Sequence, residues 1–279
     1  MRHEIRLFFV ALQFLTRVPV PAWVGYEPAW LNHCVRHFPL VGLAVGLFGA
    51  VVLSLALALF PALVAVALSM IATIWLTGAF HEDGLADTCD GLGGAVQRER
   101  ALEIMKDSRI GTYGAVALVL ALGLKAATLT ALVQVHPVLA CIALAWGHAA
   151  SRMAAVGLMW LLPYGGDADH AKAKPLATGV GASDLLVAFV WLVLISLGTL
   201  GLVWESGESG EPGAADPVAV SLTAATLCIG LVVWRAARWL GKRLGGYTGD
   251  TLGALQQVTE IVALLTWLAV AQQFGLAHG

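Results

Sequence analysis

The sequence predicts an all-α, polytopic membrane bundle of about seven spans. It also predicts an N-terminal interfacial or re-entrant helix and an acidic helix–loop site on the cytoplasmic side. Three observations carry this. Of 279 residues, 59% are hydrophobic and only 12% charged, about half the charged share of an average soluble domain. Mean hydropathy is +0.81. Apolar stretches of the roughly 20 residues that cross a bilayer recur along the whole chain. One membrane-embedded domain over residues 1–279 is therefore expected, in contact with lipid. A net charge of −2 and a pI near 6.4 argue against nucleic acid as a partner. Cys34, Cys89, Cys141 and Cys228 are far apart and form no CxxC, so neither a disulfide framework nor a zinc site is expected.

The spans are expected at 38–60, 62–80, 114–135, 137–162, 185–204, 217–240 and 253–275. Pro61 alone separates the first two, which makes them a tight hairpin, and Pro137 opens the fourth. Gly42, Gly46 and Gly49 favour close approach of a neighbouring helix to the first span. Residues 5–15 are apolar over about half a spanning length, with Arg2, Arg6 and Arg17 around them. They read as an interfacial or re-entrant helix stopped by Pro19-Val-Pro21. No small-residue cleavage site follows, so no signal peptide is expected.

Loop charge sets the orientation. With the N-terminus in the cytoplasm, inside segments carry 14 of the 16 Lys and Arg residues and outside loops none. The loop at 205–216 has four acids and no base, which suits an external connection. The protein is expected in the inner (plasma) membrane, multi-pass, with its active site facing the cytoplasm. The two remaining bases, Lys125 and Arg152, and one acid, Glu260, lie inside spans. Such charges face a cavity or one another; a pocket lining is the functional reading and a structural ion pair the alternative.

The chemistry concentrates at 78–114, where seven acids meet four bases between two spans. Asp83, Asp87 and Asp90 stand at i, i+4 and i+7. On a helix they point to about 0°, 40° and −20°, and so share one face. Carboxylates this close repel one another unless a cation neutralises them. Hard oxygen donors select Mg²⁺, Mn²⁺ or Ca²⁺ rather than zinc, and Mg²⁺ completes its shell with waters and substrate phosphates. Gly84, Gly91, Gly93 and Gly94 would let a bulky ligand approach the backbone. The segment thus reads as a site of metal-bridged diphosphate chemistry, against the plainer reading of a solvated acidic helix start. Two further loops on the same side, Asp107–Gly114 and Gly245–Gly253, each bring glycines and a carboxylate, Asp107 and Asp250. His81 is read as a ligand, a proton acceptor or a capping group; His37 and His148 are read as packing residues.

These residues resemble the cobalamin synthase family. The resemblance rests on Phe38-Pro-Leu-Val-Gly42, on Gly78-Ala-Phe-His-Glu-Asp-Gly-Leu-Ala-Asp-Thr-Cys-Asp-Gly91, and on Met105-Lys-Asp-Ser-Arg-Ile-Gly111. Lys125, Ser151-Arg152 and Gly245-Gly-Tyr-Thr-Gly-Asp-Thr-Leu-Gly-Ala254 complete it, and it runs from about residue 5 to residue 265. It implies a Mg²⁺-dependent membrane enzyme that joins adenosylcobinamide-GDP to α-ribazole, or to α-ribazole 5′-phosphate, with release of GMP. In that reading Asp83, Asp87, Asp90 and Asp107 hold Mg²⁺, and one carboxylate, Asp90 by position, takes the proton of the attacking hydroxyl. Arg109, Lys172 and Lys174 clamp phosphate oxygens. Lys125 and Arg152, paired with Glu260, approach from below, and Asp250 from its loop. A second copy of the chain and pathway enzymes at the cytoplasmic face are further candidate partners. Three departures stand out: Glu82, where the family usually has a hydrophobic residue; Gln257, where it often has an acid; and the loop at 167–175. The runner-up is a CDP-alcohol phosphotransferase, disfavoured because Asp90-Gly-Leu-Gly-Gly stands where that group has Ala-Arg. A secondary transporter is disfavoured by the lack of an internal repeat.

Overall fold

The computed structural model describes residues 2–94, 97–166, 179–205 and 216–274. It contains eleven α-helices among them: α1 (Arg2–Leu15), α2 (Trp30–Cys34), α3 (Phe38–Leu57), α4 (Ala62–Thr77), α5 (Phe80–Leu92), α6 (Arg98–Lys106), α7 (Thr112–Val135), α8 (Pro137–Leu161), α9 (Ala182–Glu205), α10 (Pro217–Arg243) and α11 (Gly249–Gln273). Among the described residues six stretches are long and apolar enough to cross a membrane, and a bent pair, α4 with α5, makes a seventh if counted as one. Lys172, Lys174 and the loop at 167–175 lie outside the described residues, as does most of the acidic loop at 205–216.

The helix ends follow local chemistry. Pro39 and Pro137 stand in the first turns of α3 and α8, where no intrahelical N–H is needed. Asp216 caps α10, accepting from Val218 N–H at 2.8 Å. Thr248 and Thr251 form a reciprocal capping box that starts α11 at Gly249, four residues before the expected position.

The expected span at 62–80 is the main difference. Its helix is 16 residues long and stops at Thr77. Gly78 (φ +70°) and Ala79 (φ +58°) are both left-handed, and α5 leaves at 86° to α4. For Gly78 this conformation is free of Cβ cost, but for Ala79 it costs roughly 1–2 kcal/mol. Packing must hold such a corner. Arg17 N–H donates to the Leu76 carbonyl at 2.8 Å, and the Phe14 and Phe80 rings meet edge to face at 5.4 Å.

The centre of the bundle is α8, packed on α3, α7, α9, α10 and α11. Its contact with α3 depends on glycine. A Cβ on Gly42 would lie 2.3 Å from the His148 carbonyl oxygen, and one on Gly46 would lie 2.6 Å from Ala145 Cα. Small residues let helix backbones touch where lipid offers no hydrophobic drive for association. Trp146 and Trp267 fill the space between α8 and α11, and Trp146 Nε1 donates to Ser196 Oγ on α9 at 2.9 Å.

A polar latch at one end ties α1, the turn at Val35–His37 and α9 together. Arg36 pairs with the buried Asp184 and with Glu4 (3.1 Å). Glu4 also reaches His37 Nε2 at 3.1 Å, and Trp191 Nε1 donates to His37 Nδ1 at 3.2 Å.

Gly46→Val should separate α3 from α8, because the new atoms meet backbone rather than a movable side chain. We expect a loss of about 1–3 kcal/mol, read as a lowered midpoint of thermal unfolding in detergent. Gly123→Ala, where a Cβ meets nothing within 4 Å, should not lower that midpoint.

Candidate active site

The expected site residues gather at one end of the bundle because α5 lies across it. Gly84 of α5 sits against the first turn of α11. A Cβ there would be 2.7 Å from the Asp250 carbonyl oxygen, and one on Gly253 would be 3.2 Å from the His81 carbonyl oxygen. Gly91 lies on Met105 and Ala101 of α6. Sequence reasoning reserved these glycines for a ligand; neighbouring helices occupy the space at Gly84 and Gly91 instead. Other contacts close the same end. Arg98 donates to the Leu244 and Gly165 carbonyls at 2.8 and 2.7 Å, Arg243 donates to the Gly94 carbonyl at 3.2 Å, and Tyr164 bridges to Tyr247.

The acids of α5 have different surroundings. Asp83 is exposed and Asp87 half-buried, one turn apart on one face of a continuous helix. Asp90 is turned to α7. Its two carboxylate oxygens accept from Gly111 N–H at 2.7 Å and Gly114 N–H at 2.8 Å, two of the donors a helix start leaves without partners. A Cβ on either glycine would lie 2.4 Å from that carboxylate, so glycine is needed at both positions. Asp107 accepts the Arg109 fork: Nη2 at 2.6 Å, Nε at 3.0 Å and the backbone N–H at 3.0 Å. That hydrogen bond, followed by the carboxylate charge, raises the Arg109 pKa above its ordinary value. Asp250, in the first turn of α11, is half-buried. His81 is buried, unlike the exposed Asp83.

Below α5 lies a buried polar network. Lys125 of α7 forms an ion pair with Glu260 of α11, both inside the bundle. Glu260 also faces His148 Nδ1 at 3.2 Å and accepts from Gln256 Nε2 at 2.5 Å. Arg152 Nη1 donates to the His148 carbonyl at 3.0 Å. Gln256 Nε2 also donates to Ser151 Oγ, and Gln257 Nε2 to Gln256 Oε1, each at 3.0 Å. Gln257 Nε2 reaches Glu82 Oε1 at 3.0 Å as well. The two departures from the family pattern are therefore partners: Gln257 brings an amide to the acid at 82. Two acids, Glu82 and Glu260, stand among two bases, Lys125 and Arg152. Sequence reasoning placed His148 in packing and assigned no role to Ser151 or Gln256; the network holds all three. Periodicity alone could show that Ser151, Gln256 and Glu260 face inward, but not that they meet.

On the side of α5 away from its acids is an apolar cavity of about 450 Å³, lined by Thr88, Tyr113, Trp239 and Leu255 among others.

Among the described residues no three His, Cys, Asp or Glu side chains form a group that could hold a metal. Mg²⁺, however, is usually held by one or two carboxylates, with waters and substrate phosphates completing its shell. Asp83 and Asp87 are a donor set of that kind.

An acidic helix across one end of a membrane-helix bundle, above a charge-balanced core, marks a membrane-embedded enzyme with a polar substrate. Residues 7–268 match the model of the family described as cobalamin-5-phosphate synthase, and the chain belongs to that family. It is 56% identical to an adenosylcobinamide-GDP ribazoletransferase of Leptothrix cholodnii, over 96% of each chain. It is 43% identical to one of Shewanella amazonensis, over 98% of each. No solved structure matches the chain.

Two predictions follow from these surroundings. Asp90→Ala should lower stability by about 1–2 kcal/mol, the usual loss of a helix-start acceptor, whereas Asp83→Asn should leave the unfolding midpoint unchanged. Lys125→Met should cost about 3–5 kcal/mol by leaving Glu260 charged and buried, and adding Glu260→Gln should restore most of it. Unfolding of Lys125→Met, Glu260→Gln and the double variant in detergent, compared as a double-mutant cycle, measures that coupling.

Proposed function

We propose that this chain joins adenosylcobinamide-GDP to α-ribazole or α-ribazole 5′-phosphate with release of GMP, at the outer face of α5. Membership of the family and the relatives' printed activity support the reaction, which is the final nucleotide-loop assembly step of cobalamin biosynthesis. The observation that carries the location is that α5 leaves Asp83 exposed and Asp87 half-buried at the end of the bundle while Gly84 packs on α11.

In this reading a ribose hydroxyl of α-ribazole attacks the diphosphate phosphorus nearer the cobinamide. A P–O bond to the ribose forms, the bond to the bridging oxygen breaks, and GMP leaves with that oxygen. Such transfers depend on charge neutralisation and in-line positioning. Mg²⁺, held by Asp83 and Asp87, would supply neutralisation of the diphosphate. Asp90 anchors the start of α7 beside the site. Asp107 fixes the Arg109 guanidinium near the same end. A carboxylate of α5 takes the hydroxyl proton. The Lys125–Glu260 pair and the Glu82–Gln257 contact hold α5, α7 and α11 in register below the reacting atoms. Lys172 and Lys174 remain candidates for phosphate contact.

The charge pattern of the loops supports a cytoplasmic face for this end of the bundle. Single cysteines at 97 and 243 should therefore react with impermeant reagents only in inside-out vesicles; labelling from the periplasm would overturn that orientation.

Membranes containing the protein should release GMP from adenosylcobinamide-GDP only when α-ribazole or its phosphate is added. EDTA should abolish release and Mg²⁺ restore it. Asp83→Asn and Asp87→Asn should each lower turnover by at least about tenfold to a hundredfold. Glu99→Gln and Glu103→Gln, on the exposed face of α6, should stay active. Near-normal Mg²⁺-dependent turnover in both aspartate variants would remove α5 as the metal site.

A further inference from the structure

We infer that Arg17 is a phosphate-binding residue of this reaction, its guanidinium contacting the diphosphate of adenosylcobinamide-GDP at the corner where α5 begins. The inference rests on the reading of α5 as the active-site helix.

Arg17 follows α1 and is fixed by its own backbone, whose N–H donates to the Leu76 carbonyl at 2.8 Å. Its side chain then lies across Gly78. A Cβ built on that glycine would be 2.5 Å from Arg17 Nε and 3.2 Å from Cζ and from Nη2. Gly78 thus has two duties: its φ of +70° makes the corner, and its missing side chain makes room for the guanidinium. Arg17 is held over Gly78, which is five residues before Asp83, and the contact between Phe14 and Phe80 keeps α1 against the first residue of α5.

Arg17 is exposed, and among the described residues no carboxylate lies within ion-pair distance of it. Four other arginines at this end are engaged. Arg36 holds Asp184 and Glu4, Arg98 holds two backbone carbonyls, Arg100 holds Glu103, and Arg109 holds Asp107. The ordinary use of an arginine beside a helix C-terminus is to neutralise the last carbonyls. Here Ile74 O accepts from Ala79 N–H at 2.9 Å, Trp75 O from Gly78 N–H at 3.2 Å, and Leu76 O from Arg17's own N–H. Among the described residues no side-chain hydrogen bond or ion pair engages the guanidinium itself. A planar fork matches phosphate oxygens in pairs, which a lysine cannot reproduce. A diphosphate approaching Asp83 and Asp87 also meets their negative charge, and a fixed cation at the adjoining corner offsets it.

The test uses the full-length protein in lipid nanodiscs, with Mg²⁺ present. Arg17→Ala and Arg17→Gln should raise KM for adenosylcobinamide-GDP by about tenfold to a hundredfold, the value of a charged hydrogen bond. KM for α-ribazole and the thermal midpoint should stay at wild-type values. Arg17→Lys should recover only part of the loss. An unchanged KM for adenosylcobinamide-GDP in the Ala and Gln variants, with Asp83→Asn still impaired, overturns the role of Arg17 and leaves the α5 site intact. No turnover by the wild type overturns both. Should the variants fail to fold, arginine modification by phenylglyoxal on the wild type decides, read by mass spectrometry. Protection of Arg17 by adenosylcobinamide-GDP supports the assignment, and equal labelling with and without it overturns it.

Discussion

The corner at Gly78–Ala79 is the constraint on which the rest of the structure depends. Extended in a straight line, α4 and α5 would form one helix about 46 Å long at 1.5 Å per residue, with Glu82, Asp83, Asp87 and Asp90 on its second half. That is longer than a bilayer's hydrocarbon core and would carry four acids along an apolar path. Two successive left-handed residues turn α5 by 86° instead. The acidic helix then lies across the end of the bundle, where one face can meet water and the other can pack on α11. Ala79 pays for its conformation through that packing: Arg17 on Leu76, Phe14 on Phe80, and Gly84 on the backbone of Asp250.

Beneath this helix the bundle manages a second difficulty, several ionisable groups in an interior with little water. An isolated charge there is expensive, and truncating one partner of a pair leaves the other uncompensated. The structure answers with balance. Lys125 meets Glu260 directly, Gln256 bridges Glu260 to Ser151, and Gln257 joins Gln256 to Glu82. Hydrogen bonds thus run from α5 through α11 to α8 and α7. Such a network is intolerant of single changes, and it fixes how the helices that frame the proposed site sit relative to one another.

Asp90 shows how one motif divides its work. Three aspartates share a helix face by spacing, yet the third is drawn to the start of α7 because Gly111 and Gly114 present their N–H groups there. A carboxylate satisfied by two backbone donors helps hold α7 against α5. Of the other two, Asp83 is exposed and Asp87 half-buried.

Much of this was legible in the sequence. Long apolar stretches state their own length, and water's absence from a bilayer leaves helix as the only form for them, so the spans were readable from composition and periodicity. The acids at 83, 87 and 90 announced one face through their spacing, and Gly42 and Gly46 announced close packing. What the sequence did not determine is where chains of contact run between distant segments. The glycines at 84 and 91 look the same whether they admit a ligand or a neighbouring helix, and only the placement of α11 and α6 decides for the helix. Asp90 looks like Asp83 until α7 is docked beside it. Glu82 and Gln257 are 175 residues apart and appear as two unrelated departures until α5 crosses α11. Arg17 reads as one more cytoplasmic charge until Gly78 is beneath it. Local patterns decide helices because their hydrogen bonds are local. Which buried donor meets which acceptor is decided by packing between segments, and for that the tertiary structure was required.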